Sequence, residues 1–342
     1  MVVAETNKPH VAVLSSPGMG HIIPLLELAK CLVIDHGIHV ECEFIDLPEP
    51  VQVPGCSPVR TEDLLDQVRN RKIDEYKWFL FHISRLPMSD GILLNSWEDF
   101  EPTSHEAIRK HPFYKQIPIP PVFPAGPLIK HDKPELDDEC LAWLDKQPLN
   151  SVLFVALGSG GTLSAAQLTE LAWGLELSQQ RFLLVARKPT DASASATFFN
   201  VGEDINVNDP KAYLPDGFLK RTKEVGLVVP TWAPQVSVLQ HPSTGAFLSH
   251  CGWNSTLESM THGVPMIAWP LYAEQRMNAT MLVEEVGVAV KPVGIPGKGV
   301  VDREEIKRVV RLVLEGEEGN VMRRKAREQK MSAVKALVSV LA

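Results

Sequence analysis

The chain has 342 residues, 44 % of them apolar and 22 % charged, which is the composition of a folded globular protein. Its 34 Lys and Arg against 42 Asp and Glu leave a formal net charge of −8, so the basic balance that accompanies nucleic-acid binding is missing. Five cysteines without CxxC spacing argue against a disulfide framework or a zinc site and suit a reducing compartment. The polar opening MVVAETNKPH lacks the apolar core of a signal peptide, and no apolar run approaches the ~18 residues of a membrane span. A soluble, cytoplasmic chain of two domains is expected.

In chain order, Val11 to Leu14 reads as a buried strand, Ser15 to Gly20 as a turn and Pro24 to Asp35 as a helix. His39 to Phe44 is a possible second strand, Pro48 to Pro58 is proline-rich and irregular, Ile73 to Leu86 is helical, and Gly91 to Asn95 is a further strand. Ile117 to Pro127 is so dense in proline that neither a helix nor a central strand can contain it, and it is expected to be an interdomain linker. Beyond it the alternation becomes regular. Strands are expected at Val152–Leu157, Phe182–Ala186, Gly226–Val229, Ala246–Ser249 and Met266–Trp269, with helices at Ser164–Ser178, Asn254–His262, Gln275–Glu285 and Arg303–Glu315. That order is the α/β pattern of a doubly wound parallel sheet. By comparison the first half is thin, because Val40 to Gly91 holds at most one convincing strand where several βα units of ~30 residues would be needed.

Three glycine turns follow strands: Gly18-Met19-Gly20, Gly158-Ser159-Gly160-Gly161 and Cys251-Gly252. Such turns are where open α/β sheets bind ligands. Neither of the first two completes G-x-G-x-x-G, since Ile23 and Leu163 stand at the third glycine position. Gly297-Lys298-Gly299 is not a P-loop either, which lowers the standing of a nicotinamide enzyme or a P-loop NTPase.

The stretch from Trp232 to Gln275 carries more chemistry. His250 ends a strand, and Cys251-Gly252-Trp253 turns into a helix beginning near Asn254. Asn254 and Ser255 read first as N-caps, but the same helix start offers backbone N–H groups and a positive dipole end to a diphosphate. Glu258, at i+4 from Asn254, suits the hydroxyls of a ribose diol. Trp232, followed by Ala233, Pro234 and Gln235, offers a stacking surface for a base. Tyr272, Glu274 and Gln275 add acceptors and an amide suited to a sugar. Taken together these are the parts of a nucleotide-sugar pocket.

Trp232 to Gln275 closely resembles the signature box of plant secondary-product UDP-glycosyltransferases, and its 44 residues match that box in length. Pro17-Gly18-Met19-Gly20-His21 resembles the acceptor-side loop of the same family, and Trp143-Leu144-Asp145 with Gln147-Pro148 its interdomain segment. Gly158 to Thr162 and Tyr272-Ala273-Glu274-Gln275 are similar to the subgroup acting on phenols, hydroquinone and monolignols, the hydroquinone glucosyltransferase (arbutin synthase-like) group. The resemblance implies a GT-B architecture of two Rossmann-like domains with parallel sheets. Residues 1–124 would form an incomplete acceptor-side domain and residues 125–342 the UDP-sugar domain.

It further implies that Trp232 and Ala233 hold uracil, that Gln235 and Glu258 contact the uridine, and that Ser159, His250, Asn254 and Ser255 hold the diphosphate. Trp253, Glu274 and Gln275 would face the sugar, with Tyr272 in the same segment, and His21 would be the catalytic base. The implied reaction is inverting O-glucosylation of a small phenolic acceptor from UDP-glucose, by a monomer, with no metal and no cofactor beyond the donor substrate. The Asp-x-Phe-type segment that orients the family's histidine is missing from this sequence, so a nucleotide-sugar-binding form with weak or no turnover is the alternative.

Overall fold

The computed structural model describes residues 11–14, 46–47, 49–116, 119–130, 138–190, 213–230, 232–294 and 299–341. His21, the helix expected at Pro24 to Asp35 and the strand expected at His39 to Phe44 lie outside these residues. The chain divides into two compact units, Met1–Leu128 with Lys335–Ala342, and Ile129–Val334.

In the first unit, β1 (Val11–Leu14), β2 (Gly91–Leu94) and β3 (Val122–Pro124) form a parallel sheet in the order β1-β2-β3. Val11 pairs with Gly91 and Ile92 with Val122. The third strand corrects the expectation of a linker at Ile117 to Pro127. Proline lacks the N–H that a ladder needs, but an edge strand leaves one side unpaired and tolerates it. β3 occupies such an edge among the described strands. Helices α1 (Asp74–Ile83) and α2 (Pro102–Lys110) belong to this unit. Between Pro48 and Pro58 the irregular reading holds, save for an isolated antiparallel bridge from Val51 to Val59.

In the second unit, six parallel strands stand in the order β6-β5-β4-β7-β8-β9. They are β4 (Val152–Ala156), β5 (Arg181–Ala186), β6 (Gly226–Pro230), β7 (Thr244–Ser249), β8 (Met266–Ala268) and β9 (Ala289–Val290). Both middle strands are buried along their whole length, which is why β4 reads as an unbroken apolar run and β7 carries the apolar stretch Ala246 to Leu248 between buried Thr244 and Ser249. Phe154 of β4 lies beside Phe247 of β7, their rings stacked with centroids 5.0 Å apart. After β6 comes α3 (Gln235–Gln240), after β7 comes α4 (Trp253–His262), and after β8 comes α5 (Gln275–Thr280). Two longer helices, α6 (Arg303–Glu315) and α7 (Glu317–Leu341), close the described chain.

The expected strands recur with ends shifted by one or two residues. Three local expectations change. The helix after β7 begins at Trp253 with Gly252 as its N-cap, so Asn254 and Ser255 sit inside the first turn and cap nothing. The helix expected over Gln275–Glu285 leaves α-geometry after Thr280 and continues as a π-turn over Met281–Val286. β9, two residues long, was not anticipated. No helix among the described residues is long and apolar enough to cross a membrane.

One contact sets how closely two helices approach. The helix after β4, Ala165–Ser178 with Ser164 as its cap, packs on α6 through Gly174. A Cβ at that glycine would stand 2.5 Å from the Cβ of Ile306, which is fully buried and whose stem cannot swing away. Gly174→Ala is therefore expected to destabilise the second unit by about 1–3 kcal/mol through overpacking. This holds although alanine in a free helix would stabilise by roughly 0.5–1 kcal/mol. Urea unfolding of the two proteins measures the difference, and an unchanged or raised midpoint would show that the helices can separate at little cost.

Candidate functional site

Counting β4 as the first strand of its sheet, the order is 3-2-1-4-5-6, and the direction of winding reverses between β4 and β7. Chains leaving these two neighbours diverge and open a crevice above their carboxyl ends, where ligands of such sheets bind. Two of the glycine turns singled out in the sequence lie there.

Those turns enclose His250. Gly158, with φ of +73°, approaches the imidazole so closely that a Cβ would lie 2.6 Å from Cε1. A Cβ on Gly252 would lie 2.4 Å from Nε2. Both glycines are thus required by the ring they hold. Nδ1 is enclosed without a hydrogen-bond partner among the described residues. Burial pushes the imidazole down from its ordinary 6.5 to about 4, so His250 is neutral at pH 7 and offers one ring N–H as donor. The next residue, Cys251, takes a left-handed φ of 60°, and its N–H donates to Ser249 Oγ at 3.2 Å. Its thiol is buried and raised to about 12, which makes it an inert wall of the turn.

The start of α4 carries no side-chain cap, so its first-turn amides are left to other acceptors. Trp253 is buried with 3 % of its surface exposed, and Asn254 is exposed. Ser255 and Glu258 form one group with Gln235 of α3. Gln235 Nε2 donates to Ser255 Oγ at 2.8 Å and to Glu258 Oε2 at 2.5 Å. The i,i+3 pair Ser255 and Glu258 therefore faces α3, while Asn254 does not share that bond. Upstream, Ala233 is buried and Trp232 keeps 63 % of its surface exposed, a large aromatic face open to solvent.

The segment after β8 is tied in by two routes. Leu271 Cδ1 would be 2.9 Å from a Cβ on Gly161, and Asn278 Nδ2 donates to the carbonyl of Cys251 at 2.8 Å. Gln275 is buried, and its Oε1 accepts from the backbone N–H groups of Leu271 (2.8 Å) and Tyr272 (3.0 Å). Its carbonyl thus shapes its own turn, while its side-chain amide also hydrogen-bonds the Tyr272 hydroxyl. Tyr272 and Glu274 are half-buried, Ala273 takes a left-handed φ of 56°, and burial raises the Tyr272 hydroxyl. Ser159 is exposed on the turn after β4.

The sequence reading missed one charged residue. Arg187, directly after β5, donates from Nη1 to the carbonyl of Gly158 at 3.0 Å and to that of Ser159. A basic residue at a strand's carboxyl end was visible, but its backbone partners were not.

A parallel sheet of this order, with glycine turns and an uncapped helix at the switch point, defines a Rossmann-like nucleotide-binding domain, and with the parallel sheet of the first unit the GT-B class. Residues 119–328 match the family model described as "UDP-glucoronosyl and UDP-glucosyl transferase", and the chain belongs to that family. It is 52 % identical over 299 residues to anthocyanidin 3-O-glucosyltransferase 5 of Manihot esculenta, covering 87 % of this chain and 61 % of that protein. Similarity to hydroquinone glucosyltransferase of Rauvolfia serpentina is 50 % identity over 300 residues, 87 % of this chain and 62 % of the relative. The chain therefore spans about three fifths of the length of these curated relatives. Among solved structures, UGT2 of Phytolacca americana, complexed with UDP-2fluoro-glucose and pterostilbene, superposes with a TM-score of 0.83 at 42 % identity, over 97 % of this chain and 70 % of that one.

The enclosed histidine gives a pH signature. Its folded pKa lies below its ordinary value, so between 6.5 and about 4 the unfolded chain binds more protons than the folded one. The stability that neutral His250 provides is complete above 6.5 and is lost as pH falls toward 4. His250→Asn is expected to flatten the stability-against-pH curve in that window, followed by thermal unfolding at closely spaced pH values. Parallel curves for the two proteins would mean that the ring is open to water.

Proposed function

We propose that the protein is a UDP-glucose-dependent O-glucosyltransferase acting on small phenolic acceptors with inversion. The observation that carries this reading is the grouping of Gln235, Ser255 and Glu258 beside the uncapped start of α4, next to the His250 turn. The identity to a hydroquinone glucosyltransferase supports the acceptor class.

In this reading Trp232 stacks on uracil, with Ala233 bonding the base through its backbone. Glu258 accepts from the ribose hydroxyls and Gln235 holds that carboxylate in place. Neutral His250, Ser159, Asn254, Ser255 and the first-turn amides of α4 take the diphosphate, whose charge grows as it leaves. Glu274 and the side-chain amide of Gln275 meet sugar hydroxyls, beside Tyr272 and the backbone of Trp253. His21 accepts the acceptor's hydroxyl proton, the phenolate oxygen bonds to the anomeric carbon, and the bond from that carbon to the diphosphate breaks from the opposite face. A histidine of pKa ~6.5 is a competent base for a phenol of ~10 near neutral pH. The missing Asp-x-Phe-type segment favours a second reading, in which the chain binds the nucleotide sugar and transfers slowly.

Calorimetry with UDP tests the donor half. Trp232→Ala is expected to weaken binding by roughly 1–3 kcal/mol, the range for base–aromatic stacking. Glu258→Ala is expected to cost about 1–3 kcal/mol with UDP and little with a 2′,3′-dideoxyribose analogue. Equal losses for the two ligands would place Glu258 in support of the helix alone.

Product formation from UDP-glucose and hydroquinone tests the acceptor half. His21→Ala should lower turnover by about 10²–10⁴-fold with UDP affinity unchanged. Turnover that survives this substitution would remove His21 from the chemistry.

A further inference from the structure

We propose that Arg187 is a positioning residue of the donor site, whose guanidinium sets the peptide orientation of the Gly158–Ser159 turn so that the turn presents N–H groups, not carbonyls, to a diphosphate. The inference rests on the donor-site reading above.

Nη1 of Arg187 donates to two successive carbonyls, those of Gly158 at 3.0 Å and of Ser159. A trans peptide is planar, with its C=O and N–H pointing in opposite directions. Holding the Gly158 carbonyl on the arginine side therefore turns the Ser159 N–H to the other side. Holding the Ser159 carbonyl does the same for the amide that follows. Gly158 sits at φ +73°, in a region where glycine moves between backbone conformations at low cost. A flipped peptide would show a carbonyl's partial negative charge where the diphosphate is proposed to lie, replacing attraction by repulsion.

The surroundings agree with this role. Arg187 is half-buried, and burial draws its pKa down while the nearby Tyr272 raises it, so a cation is being held partly away from water. Its two acceptors lie 29 and 28 residues away in sequence, so the bonds join the end of β5 to the turn after β4. Gly158 in turn packs on the His250 ring. Orientation thus passes from Arg187 to the turn, and from the turn to the histidine beside it.

The role makes a claim that general support of the fold does not: only the phosphate part of the ligand should notice. Calorimetry with UDP and with uridine on the full chain reads this directly. Arg187→Met, which keeps the aliphatic stem, is expected to weaken UDP by about tenfold and to leave uridine unchanged. Arg187→Lys keeps the charge without the planar fork, is expected to lose about threefold for UDP alone, and serves where the Met variant does not fold. UDP affinity unchanged in whichever variant folds, or equal losses for UDP and uridine, would overturn the proposal. A wild-type chain without affinity for UDP would overturn the donor-site reading and this inference with it, so the two failures are told apart.

Discussion

The second unit is organised by the divergence of the chain above β4 and β7. These two strands are neighbours, both are wholly buried, and the turns that leave them must pass one another within van der Waals distance. Side chains cannot fill that gap, so Gly158 and Gly252 border it and the imidazole of His250 lies against both. The neutrality of that histidine is then a consequence of the fold. It follows from enclosure, with no nearby charge among its causes. A donor held neutral can face an anion without carrying a counter-charge that would have to be desolvated.

A second constraint comes from a single amide. Gln235 opens α3, yet its side chain is spent on α4, where one NH₂ group serves a hydroxyl and a carboxylate. Bonds to ionised acceptors are the stronger kind. A carboxylate has about four acceptor positions in all, and the Gln235 bond fixes one oxygen of Glu258. The Ser255 contact works in the same direction, because it ties the first turn of α4 to the same amide. Two short helices from different βα units are thereby locked where their amino ends meet the crevice.

What the sequence made legible follows the same physics. β4 and β7 read clearly because a parallel strand buried on both faces is built largely of apolar residues, throughout β4 and over Ala246 to Leu248 in β7. The box from Trp232 to Gln275 read clearly because its residues are close in the chain as well as in space. Features that depend on distant partners did not. Val122–Pro124 looked like a linker because its prolines forbid a central strand, and composition alone cannot show an edge position. β9 is two residues long, too short for any periodicity. Arg187 was one basic residue after a strand, and its meaning lies in two backbone carbonyls of the preceding βα turn. Asn254 and Ser255 looked like caps because their types favour that position, whereas Gly252 takes it and frees them for other partners.

That last displacement bears on how the site can treat charge. An Asn or Ser at the N-cap would have satisfied the amides of the first turn from within. With Gly252 there instead, and no cap bond made, the dipole end of α4 stays open toward the crevice. The chain as a whole is acidic by a formal −8, and Glu258 stands one turn along the same helix. Attraction for a diphosphate in the proposed reading therefore cannot come from net charge. It has to come from oriented dipoles: the uncapped amides, a neutral imidazole and a turn whose carbonyls are drawn aside. Such groups act only at short range and in a fixed orientation, so the site's selectivity depends on the same close glycine packing that holds the strands' turns together.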